Sequence, residues 1–195
     1  MRPSSIYPTE ALKIDRATDE VVPAITALAN KVAPPNLSEE ERQNGFLLPY
    51  TADQYRDFTQ RAEHFYILCL DKQLIGFVLA HSSEKIDLFG GEVYLHIKSI
   101  EPRPFIVVRQ ICIAPEFSNK GYGRKLYDFL FARANEDSTR YPRALSFIWK
   151  HPPNPASEKF HRAVGWKELE TYSLKNGDGV VGIWARTIRR SDENI

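Results

Sequence analysis

The apolar positions of this chain follow two periods, one typical of helices and one typical of strands. Near the start, a short strand is predicted at 12–14. A helix follows, which Thr18 can cap and which Pro34 ends. A second helix is predicted at 51–62, where polar residues with capping-box spacing stand at the first turn.

A β-hairpin and an irregular segment come next. The runs 65–70 and 74–81 are rich in β-forming residues and are separated by a short polar stretch, which predicts two antiparallel strands. From 82 to 104 the pattern is polar and aromatic by turns, and it predicts either a flexible cover or an extra hairpin. We expect this variable insertion, 82–104, to be the element that sets specificity.

A buried central strand is predicted at 105–113, because this run is apolar apart from Arg109 and Gln110. The helix predicted at 121–135 has an apolar stripe that should pack on a sheet. The remaining predicted elements are a strand at 144–150, a helix at 154–164, and strands at 166–174 and 180–188.

Composition and charge restrict the class of protein. The 195 residues are 43% hydrophobic and 26% charged, so we expect one domain over 1–195 with a sizeable core. A net charge of +1 provides no general field for nucleic acid or for an anionic membrane. We expect neither secretion nor membrane insertion, because no apolar core of signal-peptide length follows the first residues and no stretch approaches roughly 18 apolar residues. Cys69 and Cys112 lie in apolar runs, and as reduced buried thiols they favour a cytoplasmic location.

The segment from Ser118 to Arg124 joins the predicted central strand to a helix start that contains glycine. The first N–H groups of a helix lack internal partners, so such a turn can bind phosphate oxygens. A Cβ at Gly121 or Gly123 would hold a pyrophosphate away from these amides, and Lys120 could add charge. The glycines alone also suit a tight turn without a ligand. A P-loop and a Rossmann fingerprint are excluded, because the chain lacks the Gly-Lys-Ser/Thr of the first and the third glycine of the second.

A second motif lies at the helix predicted for 154–164. Asn154 can cap this helix, Pro155 suits its first position, and Ser157 follows at the third. His161 lies seven residues after Asn154 and therefore on nearly the same face, beside the apolar Phe160.

The two motifs in this order resemble those of the GNAT superfamily of acyl-CoA-dependent N-acetyltransferases. The family's phosphate motif, Gln/Arg-x-x-Gly-x-Gly/Ala, is similar to Ser118-Asn119-Lys120-Gly121-Tyr122-Gly123. Its second motif, Asn-x-x-Ala/Ser-x-x-Phe-Tyr/His-x-x-x-Gly-Phe, is similar at every spacing to the run from Asn154 to Trp166. Ser118 departs from the usual Gln or Arg, which shortens or removes a side-chain contact to the pyrophosphate.

The resemblance, which covers about 11–188, implies a fold as well as a site. We expect a mixed α/β (α+β) class and a single GNAT-like domain. Its central, twisted, mostly antiparallel sheet should have six to seven strands flanked by about four helices.

By the same resemblance, the backbone of Ile111, Cys112 and Ile113 pairs with the pantetheine arm of acetyl-CoA like an added strand. Asn154 and Ser157 approach that arm and Phe160 packs nearby, although helix capping explains Asn154 equally well. No metal is expected. The residues implied to bind the pyrophosphate are Ser118, Asn119, Lys120, Gly121, Tyr122, Gly123 and Arg124.

His161 occupies the family's Tyr/His position, and the resemblance implies that it is the general acid. An imidazole with its ordinary pKa of about 6.5 can release a proton near neutral pH. A histidine at the edge of the core is the alternative. The fourth strand has Arg109 and Gln110 where many relatives have an acidic base, so the base is unassigned. Candidates by position alone are Glu92, Glu101, Glu116 and His151.

The function implied is transfer of an acetyl group from acetyl-CoA to a primary amine of a small molecule, by direct attack in a ternary complex. Two alternatives stay open. The acceptor could be a protein N-terminus or lysine, or the chain could be a catalytically silent module that binds acyl-CoA. A homodimer, which is frequent among relatives, is a further expectation. Nucleic acid and membranes are not expected as partners.

Overall fold

The computed structural model describes residues 11–136, 141–175, 177 and 179–188. Seven strands form one sheet in the order β1-β2-β3-β4-β5-β7-β6, and every neighbouring pair is antiparallel except β4 and β5, which are parallel. The predicted fold class is therefore confirmed. The predicted bounds of 1–195 include 1–10 and 189–195, which lie outside the described residues. The strands are β1 (Leu12–Arg16), β2 (His64–Leu70), β3 (Gln73–Ser82), β4 (Ile106–Ile113), β5 (Arg143–His151), β6 (Lys167–Ser173) and β7 (Val180–Thr187).

Seven α-helices accompany the sheet within the described residues. The four predicted helices are confirmed as α1, α3, α6 and α7, and three more were not predicted. Across the part of the chain described, no helix is long and apolar enough to cross a membrane. The helices are α1 (Val22–Lys31), α2 (Glu39–Gln43), α3 (Ala52–Arg61), α4 (Ile86–Phe89), α5 (Glu92–Ile100), α6 (Tyr122–Asn135) and α7 (Pro155–Ala163).

The capping residues at the helix starts were predicted with mixed success. Thr51 and Gln54 form the predicted capping box at α3, with Thr51 Oγ1 accepting from the Gln54 amide at 3.2 Å. Ser38 and Glu41 form a second capping box at α2, which was missed because α2 is only five residues long. Thr18 does not cap α1 through its side chain. A 3-10 turn follows Thr18, and α1 begins only at Val22.

Helices cover both faces of the sheet. The apolar stripe of α6 packs on one face, and all of its predicted members are buried. On the opposite face, α1 and α3 cover the half formed by β2, β3 and β4, and α4 and α5 cover the half formed by β5 and β7. The boundary between these two covers lies over β4. The buried stripe of α6 consists of Leu126, Tyr127, Leu130, Phe131 and Ala134.

The segment 82–104 does not form the extra hairpin, and its role as a flexible cover stays a prediction. It contains the helices α4 and α5, which bury Ile86, Val93 and Ile97 against β5 and β7. Its mixed pattern arises because α4 has only four residues, too few to show a helical period. The glycines between the two helices, Gly90 and Gly91, both have positive φ and make a sharp turn.

Candidate active site

The two central strands separate soon after they begin to pair. Ile106 pairs with Ala144 and Val107 with Leu145, and no further residues of β4 and β5 pair, although both strands are fully described. The hydroxyl of Ser146 donates to the Val108 carbonyl at 2.8 Å near the point where the strands part. From there to their ends the strands leave a gap in the sheet.

Strand β4 presents alternate backbone groups to this gap. The amide of Ala114 donates to Ile75 at 2.8 Å, so Ala114 and Ile75 form a hydrogen-bonded pair between β4 and β3. Antiparallel pairing alternates, which directs the backbone of Cys112 to β3 and the polar groups of Ile111 and Ile113 to the gap. Of the three residues predicted to pair with pantetheine, Ile111 and Ile113 have backbone groups available, whereas the Cys112 backbone bonds to β3 and its side chain is buried.

The turn between β4 and α6 holds a row of unpaired amides. The Ser118 amide donates to the Pro115 carbonyl at 3.1 Å. The next amide along the chain with a hydrogen-bond acceptor is that of Lys125, which donates to the Gly121 carbonyl at 3.1 Å. Within the described residues, no protein group accepts from the amides of 119–124. Unpaired amides at a helix start favour anions. The predicted phosphate-binding turn therefore has the groups that such binding requires.

The two glycines of this turn have different roles. Gly121 has φ +81° and caps α6, and a Cβ there would project into open space. At Gly123, by contrast, a Cβ would lie 2.8 Å from Cζ of Phe160. The missing side chain of Gly123 therefore makes room for Phe160, and binding of a pyrophosphate by this turn stays a prediction.

The charged side chains of the turn are exposed, as binding from solvent requires. Lys120 lies over the ring of Phe117, 5.3 Å from its centroid, and Tyr122 packs edge-on against the same ring. Arg124 donates to the Ala163 carbonyl at 2.8 Å, which ties the start of α6 to the end of α7.

Asn154 caps α7 and also binds the loop before α3. Its Oδ1 accepts from the Ser157 amide at 3.3 Å, and its Nδ2 donates to the Phe46 carbonyl at 2.9 Å. On the opposite side of the gap, Gln110 Nε2 donates to the Leu48 carbonyl at 2.8 Å. The loop before α3 is thus fastened to both sides of the gap. The contacts of Asn154 are those of a helix cap and of a bond to the loop before α3, and the approach of Asn154 and Ser157 to the pantetheine arm stays a prediction.

His161 lies in the protein interior, where it is 4% exposed. Its Nδ1 donates to the Ser157 carbonyl at 2.7 Å, and its Nε2 accepts from the Tyr127 hydroxyl at 2.8 Å. Burial lowers the pKa of His161 to about 4, and the bond to Ser157 only partly offsets this effect. The histidine is neutral near pH 7, and both ring nitrogens have protein partners. Its role as general acid stays a prediction, and this geometry weighs against it.

The candidate bases have other partners or lie on the surface. Glu101 is buried and pairs with Arg103 and Arg143, which hold the pKa of its carboxyl below the usual range. Glu116 pairs with Lys31 at 3.0 Å. Glu92 accepts from the Tyr172 hydroxyl at 3.1 Å and from the Lys175 amide at 2.9 Å, and His151 is exposed. The base stays unassigned.

A β-bulge in β4 places the adjacent side chains of Arg109 and Gln110 on the same face of the sheet. Leu79 pairs with Gln110 and Ala80 with Val108, so Arg109 is the extra residue. The Tyr55 hydroxyl donates to Oε1 of Gln110 at 2.9 Å, and burial raises the pKa of Tyr55 well above its ordinary value. The sequence showed these two residues only as the polar interruption of an apolar strand. Their partners come from distant segments and could not be predicted.

The structure is thus a mixed α/β protein with a gap between β4 and β5, and beside this gap lies a turn whose amides have no acceptor among the described residues. Comparison with protein families identifies the class more closely. Residues 30–166 match the model of the acetyltransferase (GNAT) family, and the chain belongs to this family. The resemblance found in the two sequence motifs is thereby confirmed.

Solved structures of acetyltransferases share the fold at low sequence identity. A ribosomal-protein-alanine N-acetyltransferase from Escherichia coli is 13% identical, with a TM-score of 0.62 over 95% of this chain and 99% of that one. Ard1 from Thermoplasma volcanium is 12% identical, with a TM-score of 0.66 over 92% and 99%. PaiA N-acetyltransferase from Thermoplasma acidophilum, in complex with coenzyme A, is 14% identical, with a TM-score of 0.59 over 91% and 99%. No curated protein matches the chain in sequence.

Proposed function

We propose that the protein transfers an acetyl group from acetyl-CoA to a primary amine of a small molecule. The observation that carries this proposal is the row of unpaired amides at 119–124, which lies at the end of β4 beside the gap between β4 and β5. A pyrophosphate on these amides leaves a pantetheine arm free to run along Ile111 and Ile113. The complex of the similar PaiA N-acetyltransferase with coenzyme A supports the donor.

The proposed reaction is direct attack within a ternary complex. The neutral amine nitrogen bonds to the thioester carbonyl carbon, the carbon–sulfur bond breaks, and the nitrogen loses a proton while the sulfur gains one. The products are an amide and the free thiol of CoA. The chain contributes by holding the donor along β4 in a fixed position relative to the acceptor.

A silent acyl-CoA-binding module is the second candidate, and a specific observation favours it. Gln110 stands where a base would be useful but cannot accept a proton, and the proposed acid His161 is buried with both nitrogens bonded. A protein acceptor is the third candidate, since the similar enzyme from Escherichia coli acts on an alanine of a ribosomal protein.

Calorimetry with acetyl-CoA and an assay of acetyl transfer test the proposal. We expect binding and turnover with at least some members of a panel of small amines. Binding without turnover on amines or peptides would support the silent module, and turnover only on peptides would support a protein acceptor. Absence of binding would contradict all three.

The contribution of the turn is tested by Gly121→Val. A β-branched residue at φ +81° strains the cap and places methyl groups where the phosphates should lie, so CoA affinity should fall at least tenfold. Gly177→Val is a matched control, because Gly177 has φ +77° and open space around its Cβ position but lies in the turn between β6 and β7. Equal affinities for the two folded variants would show that the turn does not bind the donor.

A further inference from the structure

Arg109 is a half-buried cation enclosed by aromatic rings. Its guanidinium carbon lies 4.0 Å from the ring centroid of Tyr94 and between 5.4 and 5.8 Å from those of Phe58, Tyr50 and Phe89. These rings come from α3, the loop before it, α4 and α5. Arg109 therefore stands where the two helical covers of the sheet meet.

The hydrogen bonds of Arg109 go only to neutral groups. Its Nε donates to the Tyr50 hydroxyl at 3.0 Å, Nη1 to His81 at 3.3 Å and Nη2 to the Gly90 carbonyl at 3.4 Å. Burial lowers the pKa of His81 to about 4, so this histidine is an uncharged acceptor near pH 7.

No carboxylate of the described residues pairs with Arg109. The nearby Glu63 is occupied by Lys85 at 3.0 Å and by Ser82. A guanidinium has five N–H groups, so the three bonds above and a further contact to the Tyr94 hydroxyl leave one N–H for a ligand. A half-buried cation without a counter-ion is unfavourable in the free protein, and aromatic faces compensate only in part. The arrangement is suited to an anion that arrives with a ligand.

The position of Arg109 relates it to the proposed reaction. The turn that would hold the pyrophosphate follows the C-terminal end of β4. From this turn, the backbone groups that face the gap are those of Ile113 and then Ile111, and the next residues toward the start of β4 are Gln110 and Arg109. The acetyl end of the donor therefore arrives near the bulge. Across the gap, the ring of Tyr94 packs on Phe147 of β5 at 5.3 Å, and Phe147 packs on Trp149 at 6.3 Å. Both β5 rings are partly exposed.

We infer that the acceptor amine carries a carboxylate and that Arg109 binds it, while the aromatic walls hold an apolar or aromatic body. A planar fork of N–H groups matches a carboxylate, and the neutral surroundings strengthen that bond. This inference names the substrate class of the proposed acetyltransferase and rests on that function. Arg109 is then a substrate-binding residue that selects the acceptor.

Matched pairs of amines that differ only in the carboxylate test the inference. Phenylalanine with phenethylamine, tyrosine with tyramine, and alanine with ethylamine are compared as acceptors with acetyl-CoA. We expect kcat/KM to be at least tenfold higher for the carboxylate-bearing member of the aromatic pairs. Equal or higher values for the amines without a carboxylate would overturn the inference, while turnover itself would leave the proposed function intact.

A binding measurement decides the case in which no member of the panel is acetylated. Phenylacetate and phenylacetamide are titrated calorimetrically into the CoA-saturated protein. We expect phenylacetate to bind at least tenfold more tightly than the amide. Equal or absent binding of the two, with CoA bound, would overturn the inference alone. Failure of CoA itself to bind would instead contradict the proposed function.

Variants assign the effect to Arg109. Arg109→Met should abolish the preference for the carboxylate in both assays, and Arg109→Lys should keep part of it, because a cation without the fork remains. Arg56→Met is the control, since Arg56 pairs with Asp53 on the exposed side of α3. If Arg109 were purely structural, its variants would be less stable, but the ratio of kcat/KM or of affinity between the paired ligands would not change. An unchanged ratio in folded Arg109→Lys and Arg109→Met would therefore overturn the assignment.

Discussion

Two buried histidines make the protein sensitive to acid. His161 and His81 have pKa values lowered to about 4 in the folded state, mainly by burial. In the unfolded chain a histidine has its ordinary pKa of about 6.5, so below that pH the unfolded state binds protons that the folded state refuses. The free energy of unfolding should fall as the pH drops from about 6.5 toward 4. Each histidine contributes up to about 1.4 kcal/mol per pH unit.

The variant His161→Gln separates a structural role from an acid role. Glutamine has a neutral donor and acceptor that can replace the bonds to Ser157 and Tyr127, so a structural role predicts a near-normal transfer rate at pH 7. It also predicts that urea unfolding between pH 6.5 and 4.5 loses about half of its pH dependence. A rate lowered at least a hundredfold with unchanged CoA affinity would restore the acid role.

At the residue scale, the sequence predicted where the residues of the candidate site lie along the chain but not how their side chains are oriented. The second motif located α7, its cap Asn154 and the face that contains His161. The direction of the His161 ring depends on Tyr127 and Trp166, which come from other elements. The same limit applies to Arg109, since its partners Tyr50 and Tyr94 lie far away along the chain. Only the assembled fold shows which of these polar groups faces the gap.

At the scale of elements, the contact between α6 and α7 depends on a glycine. Gly123→Ala would place a Cβ 2.8 Å from the ring of Phe160. Alanine favours a helix by about 1 kcal/mol over glycine, but overpacking costs about 1–3 kcal/mol. We therefore expect a net loss of stability, measured by thermal unfolding.

A double-mutant cycle checks the origin of that loss. In a Phe160→Leu background the smaller side chain leaves room, so Gly123→Ala should cost little or become stabilising. Gly121→Ala is the control, because its strain comes from φ and should be the same in both backgrounds. An equal cost of Gly123→Ala with and without Phe160 would refute the packing explanation.

Elements with long periods or clear caps were predictable, and short ones were not. The strands and the helices α1, α3, α6 and α7 follow from apolar spacing and capping residues. The helices α4 and α5 were missed because their turn at Gly90 and Gly91 interrupts the period, and burial against β5 and β7 decides their form. These two helices supply Phe89 and Tyr94 to the surroundings of Arg109, so the missed segment builds one wall of the candidate site.

At the scale of the whole molecule, the gap between β4 and β5 is the feature that sequence could not predict. The run 105–113 was predicted as a buried central strand, and 144–150 was predicted as a strand. Whether two such strands stay paired along their length depends on what packs between and around them. Here only two residue pairs join them. The gap leads from the bulge at Arg109 to the turn after β4, where we propose that the pyrophosphate binds.

Hydrogen exchange tests this proposed site across the whole fold. In the free protein the amides of 119–124 find no acceptor among the described residues and should exchange fast, as should those of Ile111 and Ile113 that face the gap. Saturating CoA should slow amide exchange at all of these positions together. The β2–β3 hairpin is the control, because exchange there should slow only through stabilisation of the whole fold. At a concentration of 100 times Kd, CoA should also stabilise the fold by about 2.7 kcal/mol. Protection spread evenly over the chain, or confined to a different edge of the sheet, would place the donor elsewhere.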